Sequence, residues 1–249
     1  RFLVSGDDGS SWDLLQAESQ AFWTDAGFDA AHGAIVLVGH NGDVLRSADG
    51  GQSWHLAAVA IAGRRAFLAA VHFDERSRTL LAVGEGGTVA RSGDGGATWT
   101  QASADVREGL KGLVVARERL VSFGAGGLVV SSGDSGSRWS HDRVALENPL
   151  REIAVAPGGA LLASSSLGDL IRSEDGGLSW RVLPVDYPNA NTPPDLRMLL
   201  PSPKGEVMIA AGPPGAILRS NAEGSAWQVV LWNDIEAERA FPWMLADRA

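Results

Sequence analysis

The stretch LLAVGEGGTVARSGDGGATW, residues 80–99, decides the fold. It reads as an apolar strand, a glycine turn, a second alternating strand, and a polar loop closed by Trp99. Its last eight residues follow the pattern S-x-D-x-G-x-x-W. The same octamer stands at residues 5–12, 47–54, 92–99, 132–139, 173–180 and 220–227. The closing residues Trp12, Trp54, Trp99, Trp139, Trp180 and Trp227 are spaced by 42, 45, 40, 41 and 47 residues. The last copy departs from the pattern, with Ala222 where the others carry Asp.

More than the octamer repeats. A strand ending in Arg-Ser or Ser-Ser precedes it, as in DVLRS at 43–47 and DLIRS at 169–173. A glycine turn precedes that strand: VGHNG at 38–42, VGEGG at 83–87, FGAGG at 123–127. Earlier still come two apolar strands, the first of which aligns AFWTDAGFDA, 21–30, on AFLAAVHFDE, 66–75. Four short strands in about 40–45 residues is the spacing of a propeller blade. A lone four-stranded sheet buries neither face well, whereas blades packed in series cover each other. The expected architecture is all-β: one six-bladed β-propeller over residues 1–249, built of four-stranded antiparallel blades. The closing blade is shared by the two termini. RFLVS, 1–5, aligns with third strands and AFPWMLADRA, 240–249, with first strands.

Within the octamer, Gly9, Gly51, Gly96, Gly136, Gly177 and Gly224 are expected at positive φ. The Asp carboxylate accepts backbone N–H groups inside the turn, and Trp covers it. Copies of one residue distributed over separate blades cannot converge on one substrate, so the Asp residues read as turn locks and not as a metal or acid–base site.

The chain has 249 residues, 45% of them hydrophobic and 20% charged, which is a globular composition. A net charge of −9 argues against a general nucleic-acid binder. There is no cysteine, so disulfides and thiolate metal sites are excluded. No apolar run approaches bilayer-spanning length. The chain starts at Arg1 within an expected strand and reads as a trimmed product. No cofactor or metal-ligand pattern is present.

The octamer is identified as the Asp-box, or bacterial neuraminidase repeat. The longer unit at 80–99 resembles the repeats of the photosystem II assembly and stability factor family, whose members also occur in non-photosynthetic bacteria. That resemblance covers nearly the whole chain. It implies a non-enzymatic, extracytoplasmic scaffold, in a periplasm or thylakoid lumen and possibly membrane-associated, that helps assemble a membrane protein complex. The partner implied is a membrane protein or an acidic segment of one. Family members usually have seven blades, and six are counted here.

Asp-boxes place the turns between third and fourth strands at one end of each blade. Partner binding is expected at the other end. A basic residue stands just before each first strand there: Arg65, Lys111, Arg151, Arg197 and Arg239, with Gln20 in the first blade. Either each pairs with a nearby acid (Glu108, Glu147, Asp195 or Glu238), or together they form a site for an anionic segment. The family's basic patch points to the second. Trp23, Trp243 and Tyr187 are expected beside this collar, and the two tryptophans equally suit packing between blades. The chain reads as a monomeric binding protein with no catalytic residues. The rival is a sialidase-like glycoside hydrolase, with Arg65, Arg151 and Arg197 on a substrate carboxylate and Tyr187 as nucleophile. The Arg-Ile-Pro motif of sialidases is absent. Of the five histidines only His40, in a glycine turn, is placed at the binding end.

Overall fold

The computed structural model describes residues 2–232, apart from 6, 8, 16–21, 59, 62–63, 147, 190–192, 203 and 214. Five four-stranded antiparallel sheets follow one another, each with its strands in chain order. Sheet I holds Trp23–Asp29, Ala34–Gly39, Asp43–Ser47 and His55–Ala58. Sheet II holds Leu68–Asp74, Thr79–Gly84, Thr88–Ser92 and Thr100–Ser103. Sheet III holds Leu110–Ala116, Arg119–Gly124, Leu128–Ser132 and Ser140–Arg143. Sheet IV holds Leu150–Val155, Leu161–Ser165, Leu170–Ser173 and Arg181–Leu183. Sheet V holds Met198–Pro201, Met208–Gly212, Ala216–Ser220 and Trp227–Leu231. A two-stranded sheet pairs Phe2–Val4 with Asp13–Leu15 and carries the first Asp-box. The segment 240–249, expected to close the ring, lies outside the described residues.

The chain divides into two compact units, residues 1–113 with 130–141, and residues 114–129 with 142–249. Sheets I and II belong to the first, IV and V to the second, and the residues of sheet III are divided between them. Inside the first unit, Val36, Val38 and Val44 of sheet I pack on Leu68, Val71 and Leu80 of sheet II. Inside the second, Leu162 and Leu170 of sheet IV pack on Leu199, Met208 and Leu218 of sheet V. In sheets II, III and IV the second and third strands are buried on both faces almost throughout. Leu80, Leu81, Ala82 and Val83 are all 0% exposed. Each such large aliphatic chain contributes about 1.5–3 kcal/mol by leaving water.

The Asp-boxes lock the turns as their residue types require. Ser92 donates its hydroxyl to Asp94 Oδ1 (2.8 Å) and accepts the Gly96 N–H (2.8 Å). Asp94 also accepts the Thr98 N–H (2.9 Å) and hydroxyl (2.5 Å), while Trp99 Nε1 donates to the Gly96 carbonyl (3.1 Å). Gly96 takes φ +84°, and a Cβ there would stand 2.7 Å from Val36 of the preceding sheet. Partial burial opposes ionisation of Asp94. The bonds from Thr98 and Ser92 outweigh it and hold the carboxyl down at about 2.

The sixth box keeps its turn by another route. Asn221, one position early, offers Oδ1 to the N–H groups of Ser225 (2.9 Å) and Ala226 (3.3 Å). Asn221 thus does the work of the missing Asp at Ala222. A second recurrent device is the arginine that ends several third strands. Arg46 Nε donates to the Gly95 carbonyl (2.7 Å), Arg91 to the Ser137 hydroxyl (3.0 Å), and Arg172 Nε to the Glu223 carbonyl (3.3 Å). Each reaches the Asp-box turn of the next repeat.

Candidate partner-binding site

In sheets I, II and IV the opposite end is shaped by a slip in strand pairing. In sheet II, Val83 faces Ala70 while Gly84 faces Leu68, so Ala69 is bulged out. Sheet I slips at Thr24, between Trp23 and Asp25. Sheet IV slips at Arg151, between Leu150 and Glu152. In sheet V, Met198 faces Ala211 and the Arg197 N–H donates to the Ala211 carbonyl (2.9 Å). A bulge leaves one residue out of the ladder and re-aims its side chain.

These bulges require the glycines that end second strands. A Cβ at Gly84 would lie 1.9 Å from the Phe67 carbonyl oxygen. At Gly39 it would lie 2.3 Å from that of Phe22, and at Gly212 1.9 Å from that of Asp195. The backbone of both glycines of sheets I and II is extended, so close approach and not φ is the reason for glycine.

The occupant of the bulge changes along the chain. Thr24 turns its hydroxyl inward to the carbonyls of Val38 (3.0 Å) and Leu68 (2.7 Å). Arg151 and Arg197 are directed to one carboxylate. Arg151 Nε and Nη2 donate to the two oxygens of Asp195 (2.7 and 3.1 Å), and Arg197 Nε donates to Oδ2 (2.7 Å). Partial burial opposes ionisation of Asp195, but the two guanidinium groups outweigh it and lower its pKa. Two positive charges on one negative leave a surplus of one. The Arg197 side chain is 64% exposed, against 17% for Asp195. Three bonds use only part of the donor set of two guanidinium groups.

Of the other expected collar residues, Lys111 is exposed and follows the buried Leu110, as Arg151 follows the buried Leu150. Arg65 does not share that register. It pairs with Ala60 in a two-stranded hairpin, and Ala69 holds the bulge of sheet II. The extra hairpin lengthens the connection and sets Arg65 apart from the bulge position that Ala69 takes. Arg239 and Trp243 lie outside the described residues. Trp23 faces Gly39, as Leu68 faces Gly84, and is half-buried at that position.

Tyr187 is not an open platform. Its hydroxyl donates to the Gly168 carbonyl (2.6 Å), and its ring packs on Trp232 with centroids 5.6 Å apart. Burial raises its pKa, and the Asp169 charge raises it further. An aromatic group that the expectations passed over stands in the first unit. The His40 ring lies between Phe22 (5.6 Å) and Phe67 (4.9 Å), and Phe22 is 75% exposed. The signal was the repeated Ala-Phe at 21–22 and 66–67. Among the described residues, no group of three metal-ligating side chains converges, and no helix is long and apolar enough to cross a membrane.

Residues 4–169 match the family described as photosynthesis system II assembly factor YCF48. The chain belongs to that family. No curated protein matches it at the sequence level. Among solved structures, YCF48 bound to D1 peptide is similar with a TM-score of 0.67 and 22% identity, covering 88% of this chain and 72% of that one. YCF48 from Cyanidioschyzon merolae gives 0.68 and 13%, with 91% and 77% covered. Virginiamycin B lyase from Staphylococcus aureus gives 0.69 and 10%, with 88% and 73% covered. At such identities these likenesses concern the fold alone. An enzyme among them shows that the repeated-sheet fold of this YCF48 family member does not by itself assign an activity.

Proposed function

We propose that this YCF48 family member is a non-enzymatic binding factor that holds an acidic segment of a membrane protein during assembly. The observation that carries the reading is the Arg151–Asp195–Arg197 group, which lies at the bulge of sheet IV and the entry to sheet V with a surplus positive charge. On this reading Lys111, Arg65 and Arg239 add to the anionic site, and Trp23, Trp243 and Tyr187 add apolar contact. A solved relative bound to D1 peptide supports a peptide ligand. The compartment is extracytoplasmic, and the working form is a monomeric six-bladed propeller whose last blade is completed by the two ends of the chain.

The glycosidase reading has less support. Its nucleophile would be Tyr187, whose hydroxyl is committed to Gly168 and resists ionisation. The test is calorimetry with synthetic acidic peptides from membrane proteins and, beside them, a D1 peptide. Affinity should fall as salt rises from about 0.05 to 0.3 M, as screening shortens the reach of the charges. Arg151→Glu with Arg197→Glu should abolish binding in a protein that still folds. Binding indifferent to both salt and the double substitution would exclude the proposal.

A further inference from the structure

Sheet IV carries a cavity beside the arginine pair, about 300 Å³ in volume. That is the lower end of the range for ligand pockets. One side is the turn between its second and third strands, with Leu167, Gly168 and Asp169; the other is the connection to sheet V, with Val185, Asp186 and Tyr187. The two sides are fastened together. Tyr187 caps the Gly168 carbonyl, and Gly168, at φ +78°, would bring a Cβ to 3.0 Å from Pro194 and 3.2 Å from Pro193. Only glycine lets the connection lie this close to the turn.

The cavity and the arginines share this framework. Pro194 rests on Gly168, and the next residue, Asp195, holds Arg151 and Arg197. Their charges are opposite. The charged residues lining the cavity are both acids, Asp169 and Asp186. Asp169 is fixed by the Ser165 hydroxyl (2.7 Å) and the Asn148 amide (3.0 Å), both on Oδ2. The remaining wall includes the aliphatic side chains of Leu167, Leu183 and Val185.

We propose that this cavity binds the cationic side chain, lysine or arginine, of the same segment whose carboxylate meets Arg151 and Arg197; this rests on the binding reading above. A long aliphatic stem lies along the leucine and valine wall while its charged head reaches the carboxylates. An anionic or purely apolar occupant would displace water from the acids without bringing a charge that compensates theirs. The rise in the Tyr187 pKa, caused first by burial and then by the Asp169 charge, accords with a negative potential here. The recognised segment thus carries an acidic and a basic residue close together, and selectivity comes from the pair.

The experiment uses isotope-labelled full chain and Nα-acetyl-lysine N-methylamide, which has a cationic side chain and no carboxylate. The expected result is saturable shifts in the amides of 167–169 and 185–187, absent with the norleucine analogue. Asp186→Asn, on the exposed side, should weaken binding by about fivefold, the upper range for a solvent-exposed charge pair. Because this probe carries no carboxylate, its outcome is separate from the fate of the arginine site. No shifts, equal shifts with norleucine, or a response only to calcium chloride would each overturn the proposal.

Discussion

Each sheet has two unlike ends. The Asp-box end repeats the same residues, and its polar groups are satisfied locally: Asp94, Asp49 and Asp175 each accept a backbone N–H and two hydroxyls from their own octamer. The bulge end repeats only a backbone slip, and its side chains vary from Thr24 to Ala69 to Arg151. Repetition at one end reports what the fold needs in every copy. Variation on a constant backbone at the other end reports what is free to serve a partner. The Arg151–Asp195–Arg197 group is of the second kind, since neither Thr24 nor Ala69 needs such a partner to sit in the same bulge.

The most damaging change should strike the backbone device itself. Gly84→Ala places a Cβ against the Phe67 carbonyl and should cost about 3 kcal/mol or more, read as a loss of denaturant midpoint. A neutral result would mean that the bulge does not depend on this approach. Trp99→Ala should come close behind, at about 3 kcal/mol, since the indole packs on the core between sheets I and II. Neither substitution touches Arg151 or Arg197.

Asp94→Ala should cost about 1–2 kcal/mol, the loss of a local cap, and leave peptide binding intact. Lost binding in a folded D94A protein would break the division between the two ends. The pH dependence has a definite sign. The folded carboxyl sits at about 2, below the unfolded value, so its contribution is present above the unfolded value near about 3.9 and is lost as pH falls toward 2. Thermal melts of wild type and D94N should therefore converge in acid and separate above about pH 5.

Two smaller effects sharpen the contrast. Asn221→Ala should cost about 1 kcal/mol, because Asn221 accepts two turn amides in the sixth box. Were it neutral, that box would be held by Gly224 and Trp227 alone. Arg197→Ala should change the melting temperature least, its pair with Asp195 being largely exposed and worth about 1 kcal/mol or less. Its effect should appear instead in the affinity for an acidic peptide.

Much of the fold was legible in the octamer, because Ser, Asp, Gly and Trp act on each other within eight residues. The strands followed from alternation, and the two-faced burial of the second and third strands of sheets II, III and IV followed from their apolar runs. Arg46, Arg91 and Arg172 stood in the repeat but their task did not, since the carbonyl or hydroxyl each one reaches lies in the next repeat. Asn221 likewise looked like an ordinary residue beside a lost Asp until its carbonyl was seen on the turn amides.

At the binding end the sequence determined which residues are basic and roughly where they fall. It also offered Asp195 as a partner for them. Tertiary structure decided the rest. A one-residue bulge changes which way a side chain points and leaves no mark in composition, and an added hairpin takes Arg65 out of register while showing in the sequence only as the longer spacing of 45 residues between Trp54 and Trp99. The convergence of Arg151 and Arg197 on one carboxylate joins residues from two sheets through a connection folded over Gly168. Local patterns are read from neighbours in the chain; that meeting depends on how far apart two backbones come to rest, which only packing sets.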